Sequence, residues 1–385
     1  MPKYQQYFLE DFVSGSQEQQ YEYKSFTPNS INQEWKFADP EVLTMMEEAN
    51  RLLGELNAFS QLIPNVDFFI RMHITKEATT SSRIEGTQTN MEDALIDESD
   101  INPENRDDWN EVQNYIKAIN FSIERLDSIP LSNRLLKETH QVLLQGVRGK
   151  YKQPGEFRTS QNWIGVSLKK ANFIPPHHDH LPELMSDLEK FMHNQEIKVP
   201  HLIRIAILHY QFETIHPFLD GNGRLGRLLI VLYLVNFKLL VKPALYLSDF
   251  FERNKGEYYE RLMAVRTHND MIGWLRFFLY GLQETANKSI TVFKEVMSLK
   301  EKTERENLPR LHVRKQANAH NLMNHLYQYP IVSIKKVTSV LNTQPNTARS
   351  LVNDFTRLGV LKELTGQKRN RLFIFDEYVR IFIEN

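Results

Sequence analysis

His216-Pro217-Phe218-Leu219-Asp220-Gly221-Asn222-Gly223-Arg224-Leu225-Gly226-Arg227, HPFLDGNGRLGR, separates two strongly apolar segments. His216 takes or gives a proton near neutral pH. Asp220 offers oxygen to a divalent cation. The backbone N–H groups of Gly221, Asn222 and Gly223 can converge on an anion. Arg224 and Arg227 follow three residues apart, on one face of a helix that begins here. Anions favour helix N-termini, where the first N–H groups are unpaired and the dipole is positive. A base, a metal ligand, an anion nest and two guanidinium groups therefore meet in one turn, which suits chemistry on a nucleotide phosphate.

The flanking segments say what carries this turn. Pro200 opens a helix over 201–213, apolar at Ile203, Ile207, Leu208 and Phe212. Residues 224–237 are nearly all apolar and predict a helix buried on most sides. Upstream, Asp39-Pro40 supplies an N-cap and N1 proline for a helix with Leu43, Met46, Ala49, Leu52, Leu53 and Leu56 at helical spacing. Pro64 breaks it. A second helix, 66–82, runs into TTSSRIEGT, with Gly86 in the position of a helix stop. Helices are expected at 108–127, at 132–146 with Ser132 as cap, and at 181–193. Between the last two, NWIGVSLKKANFIPP (162–176) reads as a β-hairpin with Lys169 and Lys170 at its tip. One helix is expected over 248–266 and a long one from Trp274 to about Arg305. Residues 1–38 show no sustained period and predict an irregular surface arm.

From Leu311 the pattern changes. A helix carries Leu322, Leu326 and Tyr327, and 333–364 reads as helix, turn, helix. TGQKRNRLFIFD (365–376) then reads as a hairpin with a basic tip. Helix-turn-helix followed by a basic hairpin is a winged-helix layout. From Asn307 onward twelve Lys and Arg face five Asp and Glu, a balance of +7 in a chain whose net charge is −1. That asymmetry marks the C-terminal piece as a module with its own partner, DNA or protein.

The composition is that of a globular chain, 41% hydrophobic and 25% charged. Cysteine is absent, which excludes disulfides, thiolate metal sites and cysteine nucleophiles. The start, MPKYQQYFLEDF, lacks a signal-peptide pattern. The longest apolar run, 228–240, is short for a membrane span and holds Asn236 and Lys238. A cytoplasmic protein with no membrane partner is expected.

HPFLDGNGRLGR matches every fixed position of H-P-F-x-[DE]-G-N-G-R-x-x-R, the signature of the Fic family, so the chain resembles that family. Gly155-x-x-Arg158, ahead of the hairpin, resembles the family's target-docking flap. Tyr258-Tyr259 resembles its nucleobase contact. Ser81-x-x-x-Glu85-Gly86 resembles the inhibitory helix of members that carry the inhibitor N-terminal to the core, and a C-terminal winged helix is known among bacterial members. The resemblance implies a mainly α fold: an N-terminal arm and helices at 1–100, a helical catalytic core with a β-hairpin flap at 101–290, a helical spacer at 291–310 and a winged-helix domain at 311–385. It implies AMPylation, the transfer of AMP from ATP to a protein hydroxyl, with Mg²⁺. His216 would be the general base and Asp220 the metal ligand. Gly221, Asn222, Gly223, Arg224, Gly226 and Arg227 would hold phosphates, with Arg227 on the γ-phosphate. Ser81, Glu85 and Gly86 would form the inhibitor, Glu85 competing for Arg227. Where some members place an Asn toward the adenine, this chain has Arg266.

Simpler readings stand beside these. His216 before Pro could be a turn residue, Glu85-Gly86 a plain helix end, and the tyrosine pair packing, since adjacent helical positions do not share a face. His177, His178, Asp179 and His180 lack regular ligand spacing and read as a polar loop rather than a metal site. Within the same fold, transfer of UMP, GMP, phosphate or phosphocholine, or removal of AMP, would use similar parts. From another class, the chain would be a DNA-binding regulator whose core senses nucleotide. ATP, a protein target bearing a hydroxyl, and a second copy of the chain are the other candidate partners.

Overall fold

The computed structural model describes residues 6–62, 66–147, 149–367 and 369–384; Pro64 and Lys368, the expected helix break and one expected basic tip residue, lie outside them. The chain opens with four short strands, β1 (Gln6–Phe8), β2 (Gly15–Gln19), β3 (Lys24–Pro28) and β4 (Glu34–Lys36). β2 and β3 form an antiparallel hairpin, and β1 pairs in parallel with β4. This corrects the expected irregular arm. Phe12, Phe26, Ile31 and Trp35 are buried, and their anchoring orders the polar residues between them. Such isolated apolar residues give no period-2 run, so the pattern of a strand is absent from the sequence.

Helices dominate the rest of the chain. α1 (Pro40–Leu62) is capped as expected, Asp39 Oδ1 accepting the Val42 N–H at 2.8 Å. α2 (Val66–Ile84) ends in two reverse hydrogen bonds, Gly86 N–H to Arg83 O and Thr87 N–H to Ser82 O, the Schellman arrangement. Then come α3 (Met91–Leu95), α4 (Arg106–Arg125) and α5 (Asn133–Leu143), the last capped by Ser132. β5 (Ile164–Gly165) and β6 (Ala171–Phe173) form the antiparallel hairpin, with Lys169 and Lys170 exposed between them. α6 (Leu181–His193) leads to α7 (His201–Ile215) and α8 (Asn222–Asn236).

α7 and α8 are the centre of the molecule. Leu202 to Ile215 are all buried, and so is α8 from Arg224 to Leu234. Fully burying one such Leu, Ile or Val contributes about 1.5–3 kcal/mol, so the turn between them rests on rigid elements. The expected single helix at 248–266 is two, α9 (Ser248–Arg253) and α10 (Lys255–His268), broken at Asn254 (φ −112°, ψ 32°). α11 (Met271–Lys302) runs against α1 and α7. Beyond it, Thr303 and Leu308 are buried rather than solvated.

The last region holds α12 (Val313–Leu326), β7 (Ile331–Ser333), α13 (Ile334–Val340), α14 (Pro345–Arg357), β8 (Lys362–Glu363), β9 (Leu372–Ile374) and α15 (Asp376–Glu384). β9 is the middle strand, antiparallel to both β7 and β8. α15 has no counterpart in the sequence pattern. It brings Phe382 against Phe69 and His73 of α2. No helix among the described residues is long and apolar enough to cross a membrane.

Candidate active site at the α7–α8 turn

α7 stops at His216, whose backbone is left-handed (φ 49°, ψ 61°). A side chain bearing a Cβ resists that region, so the surroundings must hold it. The His216 N–H reaches Phe212 O at 2.9 Å. The His216 carbonyl accepts from Arg158 Nε at 3.0 Å and Asn162 Nδ2 at 3.1 Å. Arg158 also donates to the carbonyls of Ser160, Ile215 and Pro176, and its own N–H donates to Pro217 O. One buried guanidinium thus ties the turn to the chain on both sides of the hairpin. Burial pushes the Arg158 pKa down to about 10.

The next residues are pinned from inside. Asn222 grips both sides of the Phe218 peptide: its Oδ1 accepts the N–H and its Nδ2 donates to the carbonyl, each at 2.8 Å. The Phe218 ring stacks on His140 at 3.9 Å. His140 Nδ1 accepts the Gly155 N–H, and its Nε2 lies 2.9 Å from Asp220 O. Burial drives the His140 pKa to about 4, so the neutral ring is the form present, accepting at one nitrogen and donating at the other.

His216 is neutral for the same reason. Burial first, then the charges of Arg158 and Arg266, push its pKa to about 4. Its Nδ1 is buried and without a hydrogen-bond partner among the described residues. Asp220 Oδ1 accepts the Gly221 N–H at 2.6 Å. Arg224 Nη1 lies 3.2 Å from Glu111 Oε2, and its Nη2 lies 3.8 Å from Asp220 Oδ1.

Arg227 is a buried cation, its side chain 2% exposed. Its Nε donates to Ser81 Oγ at 2.8 Å; its Nη2 donates to Ser81 O at 2.9 Å and Glu85 Oε1 at 2.7 Å. The Glu85 side chain keeps 34% of its surface open. Burial resists its ionisation, yet the charge and hydrogen bond of Arg227, with Arg224 and His216 behind, hold the carboxyl below its usual range. Gly223 permits this approach, since a Cβ there would lie 2.3 Å from Glu85 Oε1. The end of α2 is held in place by Lys255 Nζ on Ile84 O at 2.6 Å and Arg83 Nε on Glu252 at 2.7 Å.

Ser81, Glu85, Asp220, Arg224, Arg227 and His216 therefore converge. The tyrosine pair divides. Tyr258 is 1% exposed with its hydroxyl 2.9 Å from His209 Nε2, so its ring is packing and not a free face for a base. Tyr259 is 44% exposed. Gly226 lies within α8, its carbonyl 2.9 Å from His209 Nδ1. Arg266 covers the Phe173 ring at 3.9 Å and donates to Thr214 Oγ1. His177, His178 and Asp179 bring one ligand atom each within 4.8 Å of one another, while His180 bonds Glu18 at 2.9 Å. Sequence reasoning missed Glu111, His140 and Glu213. The last is a buried carboxyl pushed up to about 7 by burial, with Arg227 pulling it down and Glu85 adding to the rise. Each is a lone polar residue on a helix, with nothing local to mark it.

This helical scaffold, with a glycine-rich turn carrying His216, Asp220, Arg224 and Arg227 between two buried helices and a hairpin beside it, defines the class. Residues 43–124 match the Fic/DOC family N-terminal model and residues 130–234 match the Fic/DOC family model, so these two stretches are a Fic N-terminal region and a Fic domain. The chain is similar to curated proteins called "Protein adenylyltransferase Fic". Those from Drosophila erecta and Drosophila melanogaster are each 28% identical over 171 residues, 44% of this chain and 31% of theirs. The match thus spans about a third of those relatives. A Fic family protein from Desulfovibrio desulfuricans G20 has a similar structure, with TM-score 0.55 and 20% identity over 88% of this chain and 96% of that one. A Fic domain containing signaling protein from Bacteroides thetaiotaomicron gives 0.50 and 17%, over 66% and 97%. At these identities the two structures speak for the fold alone.

Proposed function

We propose that the protein is a protein adenylyltransferase. It transfers AMP from ATP to the hydroxyl of a Tyr, Ser or Thr side chain, its own included, and releases pyrophosphate. The observation that carries this reading is the Glu85–Arg227 pair beside His216. A buried guanidinium stripped of its anion costs several kcal/mol, so Arg227 needs either a carboxylate or a phosphate. Glu85 on Arg227 is the resting state, and the γ-phosphate of ATP is the rival.

In the reaction, His216 takes the proton from the attacking hydroxyl, a contribution of roughly 10²–10⁴-fold. The hydroxyl oxygen bonds the α-phosphorus as the bond to the leaving pyrophosphate breaks. The N–H groups of the Gly221–Gly223 turn face the charge that develops there, the kind of preorganised field that supplies the larger part of such catalysis. Arg224 and Arg227 neutralise the departing phosphates. Guanidinium suits this through paired, charge-assisted hydrogen bonds. Asp220 fits Mg²⁺: its side chain is 37% exposed, and its Oδ2 accepts no hydrogen bond among the described residues. One carboxylate plus substrate phosphates is a usual Mg²⁺ set. Bound there, the ion would offset phosphate charge. The exposed face of Tyr259 is the ring available to the base.

Purified protein with labelled ATP and Mg²⁺ tests this. Glu85→Gly should raise self-modification by at least tenfold, and His216→Ala in that background should abolish it. Labelled UTP, GTP and CDP-choline in parallel separate the other donors. Transfer that survives His216→Ala removes the general-base role, and an unresponsive Glu85→Gly removes the inhibitory one.

A further inference from the structure

We propose that the C-terminal region, 311–384, binds double-stranded DNA through the exposed face of α14. α13 and α14 are joined by a short turn, and α14 buries Ala348, Leu351, Val352 and Phe355. Its opposite face presents Asn346, Arg349, Ser350, Asn353 and Arg357, all exposed. These positions lie at helical spacing and hold only hydrogen-bonding and cationic groups.

On that face Arg357 pairs with Asp354, while Arg349 has no carboxylate partner among the described residues. Asp354 is held by Lys315 and Arg357, Glu363 by Arg371, Asp376 by Arg380 and Glu377 by Lys302. The remaining acid, Glu384, lies on α15, which packs on α2 and α11. By contrast Arg314, Lys335, Arg349 and Arg369 make no ion pair with any described residue. Lys315 reaches Ser350, so the start of α12, with Arg314, adjoins α14. Arg369 lies between β8 and β9.

A protein-docking face would offer apolar or aromatic anchors at its centre. α14 exposes none of the molecule's large hydrophobic side chains. The major groove of B-DNA is about 12 Å wide and admits a helix, whereas that of A-form RNA is too narrow for side chains to read. Cations without carboxylate partners suit phosphates, and Asn346 and Asn353 suit base edges.

The test is fluorescence anisotropy of the full chain with a labelled, mixed-sequence DNA duplex about two turns long. Binding should be measurable at low salt and weaken steeply as salt rises. The slope of log K against log salt should be about 0.9 per phosphate contact. Arg349→Glu with Arg369→Glu should weaken binding at least tenfold and flatten that slope. Thermal melting and self-modification should not change, because both side chains are exposed. No binding at low salt, equal binding by the double variant, or equally tight binding of duplex RNA would each overturn the proposal. A partner protein displaced by the same double variant, with DNA ignored, would assign the face to protein docking instead.

Discussion

Glu213 lies one turn before His216, with Oε1 buried and unpartnered among the described residues. Its pKa of about 7 exceeds the ordinary 4.5, so the folded state resists its ionisation. The penalty is absent below the unfolded value, grows as pH rises between the two, and is complete above about 7, where it is worth on the order of 3 kcal/mol. Glu213→Gln should therefore raise the urea midpoint at pH 8 and leave it unchanged at pH 4.5. An equal gain at both would mean that ionisation is not the cause. At this scale the sequence is partly legible. HPFLDGNGRLGR carries its chemistry in its residue types and spacing. Glu213 does not, because its neighbours Arg227 and Arg266 come from other helices. The Arg224–Glu111 contact spans 113 residues, and no local pattern announces it.

α2 is the element whose placement decides whether the α7–α8 turn is free. Its last turn leaves carbonyls without helical partners, and Lys255 fills one of them at Ile84. A cation at a helix C-terminus contributes about 0.3–1 kcal/mol, more when partly buried. Lys255→Ala should loosen that end and raise self-modification several-fold, less than Glu85→Gly does. An unchanged rate would show that Arg83 and Ser81 suffice to hold it. The long helices are legible because a 3.6-residue period repeats over three turns or more, and α6 has the expected bounds. Strands as short as β1 to β4 offer too few repeats to show a period, so that segment looks like an irregular arm. The α9–α10 break at Asn254 involves no proline, and its only local sign is the polar run Glu252–Glu257 with Gly256 inside it.

For the whole molecule, the join between the first helices and the last one is the least expected feature. Phe382 of α15 packs on Phe69 and His73 with ring centroids 5.8 and 5.3 Å away. Phe382→Ala should cost about 3–5 kcal/mol, read as a lower midpoint in urea, and should speed proteolysis near α15. A shift below about 1 kcal/mol would mean that α15 rests on its other contacts. The stretch 376–384 is illegible because so short a helix becomes stable only through a partner, and its partner lies far upstream in α2. Chain order matters for Glu85 as well. It precedes Arg227 by 142 residues, and synthesis runs from the N-terminus. A growing chain thus exposes the carboxylate before its guanidinium partner exists, so on the proposed reading no stage of translation yields Arg227 without its competitor already present.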